Sequence, residues 1–173
     1  MSLASLLLAC VAAPAALAQD APTRSWFVQG GVAERSESVN VGLTRDWRWR
    51  KAYDIGTLTG YWEGTLGRWR VDGQRDSTVI GLTPVLRLHP HRWSPGWFVE
   101  AGIGLNVITP LYDNGKDRFS TAFQFGDHLA VGKRFGAARQ HEWALRIQHY
   151  SNARIKQPNP GENFLQLRYS RVW

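Results

Sequence analysis

Trp97-Phe98-Val99-Glu100-Ala101-Gly102-Ile103-Gly104-Leu105-Asn106-Val107-Ile108 decides the fold. Trp97, Val99, Ala101, Ile103, Leu105 and Val107 fall on one face of an extended chain, and Glu100, Gly102, Gly104 and Asn106 on the other. Period two is the mark of a strand whose faces meet two different environments. Here a charge and small residues share one face and large apolar residues the other.

The same alternation runs through most of the chain. Val39, Val41 and Leu43 alternate with Asn40, Gly42, Thr44 and Asp46; Phe123, Phe125, Leu129 and Val131 alternate with Gln124, Gly126, His128 and Gly132. The pattern predicts eight strands, at 25–34, 38–49, 56–70, 77–89, 96–109, 121–134, 141–152 and 163–173. Strands of about 10 to 14 residues are long for a soluble sandwich and suit tilted membrane strands. No segment after the N-terminus reaches the roughly 18 to 20 apolar residues of a spanning helix. The expected fold is therefore all-β, an eight-stranded antiparallel transmembrane β-barrel, with a soluble lipocalin-like barrel as the alternative, because alternation does not say which face is inside.

Nine tryptophans are many for 173 residues, and Trp47, Trp49, Trp62, Trp69, Trp93, Trp97 and Trp173 fall near proposed strand ends, where interfacial girdles sit. The connections near 35–37, 71–76, 110–120 and 153–162 are expected on one side, outside the cell. The final strand, Leu165 to Trp173, alternates and ends on an aromatic, which resembles the C-terminal signal of outer-membrane proteins.

Leu3 to Leu17 is a short apolar run ending in Ala16-Leu17-Ala18, so residues 1–18 read as a signal peptide and 19–173 as the exported barrel. Cys10, the single cysteine, lies within that leader; thiol catalysis, disulfides and cysteine-ligated metals are thereby excluded for the mature chain. A formal net charge of +7 calls for an anionic partner. The basic residues are scattered among aromatic-ended strands, which points to a membrane surface and away from nucleic acid.

On the seventh strand Trp143, Leu145, Ile147, His149 and Ser151 share one parity, and Ala144, Arg146, Gln148, Tyr150 and Asn152 the other. Same-face residues two apart have Cβ atoms about 6 to 7 Å apart, close enough for an imidazole to take a serine proton if the rotamers converge. Spacing alone leaves the pair equally readable as two polar residues at a membrane interface. Glu100, Asp127 and His128 are read as inward polar residues filling a narrow barrel. No His or carboxylate spacing makes a metal motif, and no cofactor is expected.

The block His149-Tyr150-Ser151-Asn152-Ala153-Arg154-Ile155-Lys156-Gln157-Pro158-Asn159-Pro160-Gly161, together with the terminal strand, resembles the signature of the PagL-type lipid A 3-O-deacylases. Phe98 to Gly104 and Phe123 to His128 are also similar to that family. The resemblance implies an outer-membrane enzyme that hydrolyses the ester-linked acyl chain at position 3 of lipid A, with His149 as base and Ser151 as nucleophile on the lipid-facing wall. It also implies that Asn152 helps to hold the oxyanion.

Two positions depart from the family pattern. The acidic residue that orients the histidine falls two places after the glycine, and that place is Asn163; an amide oxygen can orient a histidine but cannot offset its positive charge. Glu162, one place earlier, is the alternative if a bulge at Gly161 turns it outward. Arg154 stands where the family commonly has glycine, and with Lys156 it suits a lipid A phosphate; solvated loop charge is the other reading. Two alternatives of other kinds stand beside the esterase, a non-enzymatic structural or adhesin barrel and a soluble binder. The partner expected is lipopolysaccharide, with a homodimer left open.

Overall fold

The computed structural model describes residues 23–173; the expected leader 1–18, including Cys10, lies outside the described residues. The strands in chain order are β1 (Arg24–Val32), β2 (Ser36–Asp46), β3 (Lys51–Tyr53), β4 (Gly56–Val71), β5 (Ser77–Pro90), β6 (Trp97–Thr109), β7 (Phe123–Phe135), β8 (His141–Ser151) and β9 (Glu162–Val172). Each long strand pairs antiparallel with its neighbours, β1 pairs with both β2 and β9, and β2 pairs with β4, which closes the sheet. Eight long strands thus form the expected barrel. β3 is a three-residue addition to β4 that the sequence pattern did not predict, because three residues carry no period.

The barrel is inside out relative to a soluble protein. Leu129 and Ile147 are 68% and 63% exposed, whereas Arg146 is 1% exposed. Val41, Leu66, Leu82, Leu105, Leu145 and Leu167 also face outward, while Gln29, Asn40, Glu63, Asn106, Gln148 and Gln166 face inward. A lipocalin-like binder has the opposite arrangement, so the outer wall is a hydrocarbon-facing surface and the fold is a transmembrane barrel.

Arginine–carboxylate pairs fill the lumen. Arg146 forms a fork with Glu63 at 2.9 and 3.1 Å and reaches Glu100 at 3.2 Å; Arg87 forms another with Glu142 at 2.9 and 3.1 Å. Arg168 also pairs with Glu63. Charges buried this deeply persist only when each has an opposite partner, and these do.

The aromatics fall into two groups. Trp26, Trp49, Trp62, Trp93, Trp97, Trp143 and Trp173 are exposed around the end of the barrel where β1 begins and β9 ends, with Trp47–Trp62 and Trp93–Trp97 centroids 5.8 and 6.2 Å apart. Trp69, expected in a girdle, is instead fully buried inside the opposite end. It shares the parity of Glu63, not of Trp62, and packs against Tyr150 and Phe164, each with its centroid at 4.7 Å. With Tyr112 and Phe119 from the β6–β7 connection it plugs that mouth.

Candidate active site

The four connections at the plugged mouth are 33–35, 72–76, 110–122 and 152–161, the set expected on one side. The candidate site lies on the outer wall just below this rim. Along β8, Trp143, Leu145 and Ile147 are exposed on that wall, and His149 and Ser151 continue the same face to the end of the strand. The register sets what flanks them: His149 stands directly opposite Asn163 on β9 and directly opposite Asp127 on β7, and Ser151 stands opposite Phe125. A polar row, Asp127–His149–Asn163, therefore rests on an apolar row, Leu129–Ile147–Leu165.

His149 Nδ1 and Asn163 Oδ1 are 2.8 Å apart. An amide oxygen carries no proton, so the hydrogen must be on Nδ1, which leaves Nε2 of the neutral ring as an acceptor. The ring edge lies over Gly161: a Cβ placed there would meet His149 Cε1 at 2.7 Å, and Gly161 has φ +75°. His149 and Ser151 share the wall, and no hydrogen bond joins them.

Glu162, the alternative to Asn163, is not brought to His149. The β8–β9 register runs without a bulge through Tyr150 opposite Glu162, so Glu162 keeps the inward phase. Its carboxylate accepts hydrogen bonds from the Tyr112 hydroxyl, from Asn114 Nδ2 at 3.2 Å and from the backbone N–H of Asn163 at 3.0 Å. Burial and the Glu162 carboxylate push the Tyr112 hydroxyl pKa up, so it remains a donor that ties the β6–β7 connection to β9.

Asn152 also faces inward, at 1% exposure, and its position differs from that of a free oxyanion donor. Its side-chain amide donates to Lys156 O at 2.8 Å and Ser120 Oγ at 3.0 Å, and its backbone N–H donates to Asn159 Oδ1 at 2.9 Å. Strand parity explains this, since Asn152 follows Gln148 and Tyr150 on the lumen face. The chain then turns sharply, with Ala153 and Arg154 both left-handed at φ 51° and 65°. Arg154 and Lys156 are exposed on the rim.

Asp127 corrects an expectation: it is exposed on the lipid-facing wall and does not line the lumen. Its parity is that of Phe125 and Leu129, a count that alone places it outward. Glu100 and His128 do face inward as expected. Below the polar row, Ala101 leaves a trough of about 510 Å³ in the outer wall, lined by Leu86, Val99, Leu129, Leu145 and Ile147.

An inside-out barrel with a serine and an amide-braced histidine on its wall defines a class: integral β-barrel proteins that present their polar constellation to the bilayer. The comparisons place the chain within that class. The sequence model described as lipid A 3-O-deacylase (PagL) matches residues 37–171, and the chain belongs to this family. Lipid A deacylase PagL of Bordetella bronchiseptica is 32% identical over 171 residues, covering 96% of this chain and 90% of the relative. Its counterpart from Pseudomonas aeruginosa is 29% identical over 144 residues, covering 81% and 80%. The crystal structure of the outer-membrane enzyme PagL superposes with a TM-score of 0.74 at 25% identity, over 85% of this chain and 98% of that one. The protein is an outer-membrane barrel.

Proposed function

We propose that the protein hydrolyses the ester bond of the acyl chain at position 3 of lipid A, with Ser151 as nucleophile and His149 as base. The observation that carries this reading is the 2.8 Å contact to Asn163, which fixes the imidazole on the same wall as Ser151 with Nε2 free to accept. The hydroxyl proton passes to Nε2 as Oγ attacks the acyl carbonyl, giving a tetrahedral oxyanion. The sugar oxygen leaves with the proton from the imidazolium, and the acyl group stays on Ser151. Water, deprotonated by His149, then releases the fatty acid and restores the serine.

The wall position suits a substrate anchored in the same leaflet, and the apolar trough bordering the polar row at Leu129 and Ile147 offers an acyl chain a place to lie. Asn152 holds the turn after Ser151, and to serve as the oxyanion donor its amide leaves Ser120 Oγ and Lys156 O and turns from the lumen toward the wall. Arg154 and Lys156 on the rim meet the lipid A phosphates.

Mass spectrometry of lipid A from cells expressing the protein tests this. Loss of the 3-linked acyl chain is expected with the wild type and not with Ser151→Ala, provided the variant keeps its heat-modifiable gel mobility. Unchanged lipid A with the wild type supports a structural or adhesin barrel instead, and full activity of Ser151→Ala removes the serine from the mechanism.

A further inference from the structure

On the mechanism just proposed, His149 becomes an imidazolium, and the residue hydrogen-bonded to it is neutral. The Asn163 amide fixes the tautomer and ring plane but carries no charge to oppose the one that forms. Glu162 is turned into the lumen and committed to Tyr112 and Asn114. In a low-dielectric setting an unopposed cation raises the barrier to proton transfer, so the site needs a carboxylate that the β9 side does not provide.

The opposite flank holds one. Asp127 on β7 is the register partner of His149, outward and exposed. Directly opposed residues of an antiparallel pair have Cβ atoms about 4.5 to 5.5 Å apart. Its other same-face neighbours are apolar, with Phe125 and Leu129 along β7 and Ile103 opposite it on β6, apart from Ser151 on the diagonal. Among the described residues Asp127 forms no ion pair within 4.0 Å, so its charge is not consumed by an arginine or lysine, and it stands beyond 4.0 Å from the His149 ring nitrogens, close enough to act through space and not by contact. A carboxylate on a hydrocarbon-facing wall costs free energy, and the polar group placed directly opposite it on β8 is the His149 imidazole.

We infer that Asp127 is the charge partner of His149, a positioning residue acting from the strand opposite Asn163. The two roles that one carboxylate fills in a Ser-His-Asp triad are divided across β8: Asn163 sets the tautomer by its hydrogen bond, and Asp127 stabilises the imidazolium through space. No proton passes to Asp127, and the cycle of bonds made and broken at Ser151 is unchanged.

The test uses the full barrel in detergent micelles with 3-O-acylated lipid A. It compares wild type, Asp127→Asn, Asn163→Asp and the double variant, with Ser151→Ala as the control for the underlying reaction. Asp127→Asn is expected to lower kcat about 10- to 100-fold, the range of a well-placed electrostatic group, with KM within about twofold. Asn163→Asp places a carboxylate on Nδ1, so in that background Asp127→Asn is expected to cost less than about threefold in kcat. An unchanged kcat for Asp127→Asn overturns the inference. So does a loss confined to KM, which makes Asp127 a substrate contact, and so does an equal loss in both backgrounds, which makes its role structural. Activity surviving in Ser151→Ala instead sinks the proposed reaction and is read separately.

Discussion

His149 Nδ1 and Asn163 Oδ1 meet at 2.8 Å across an unbulged β8–β9 pair, so the imidazole is oriented by an amide whose register partner it is. The contact requires Nδ1–H, and Asn163→Leu removes the acceptor that selects that tautomer. We predict a fall in kcat of about 100-fold with little change in KM, from steady-state kinetics on micellar substrate, since triad variants with the wrong tautomer lose up to about 10⁴. Activity within twofold of wild type rejects the orienting role.

Gly161 is required twice, by its φ of +75° and by the 2.7 Å approach that a Cβ would make to His149 Cε1. Gly161→Ala should therefore displace the ring as well as strain the turn. The expected result is a loss of about 10-fold or more in kcat and about 1 kcal/mol in stability, read from turnover and from the denaturant midpoint of the refolded barrel. A stability loss with normal turnover separates the strain from the ring contact.

Arg154 occupies the left-handed region at φ 65°, where glycine is at ease. Arg154→Gly is predicted to raise stability by about 0.5 to 1 kcal/mol while raising KM for phosphorylated lipid A. Lys156→Gln should raise KM without the gain in stability. If neither variant distinguishes phosphorylated from dephosphorylated lipid A, the rim charges are simply solvated.

Arg146 pairs with Glu63 and Glu100 in the lumen, and Arg146→Ala takes one cation from each, leaving Glu63 to Arg168 alone and Glu100 to Arg87 alone. A cost of about 3 to 5 kcal/mol is expected, visible as lost heat-modifiability at a lower temperature. Ile147→Ala, one residue away on the lipid side, should cost far less, because hydrocarbon replaces the missing contacts. Comparable costs for the two contradict the inside-out assignment.

Alternation made most of this barrel legible in the sequence. The eight long strands fall within a few residues of the expected spans because each carries its own period-two record of lumen and lipid. The same record placed Asn163 outward and Glu162 inward. Residue type misleads where it conflicts with parity: charge points Asp127 to the lumen and aromaticity points Trp69 to the rim, but phase puts Asp127 on the wall and Trp69 inside. Other features lie beyond any local pattern. The Tyr112 hydroxyl joins Ser36 and Glu162 across 76 and 50 residues of chain, and no periodicity announces such contacts. The inward commitment of the Asn152 amide to Ser120 was hidden in the same way.

A serine on the outer wall of a barrel has no pocket to fill from solution. On the proposed mechanism encounter is two-dimensional: lipid must drift sideways through the leaflet until it touches β8, and the shortened product must drift away before the next arrives. The governing concentration is then a surface mole fraction. Dilution of the substrate with inert lipid or detergent at fixed total amount should slow turnover as effectively as an inhibitor.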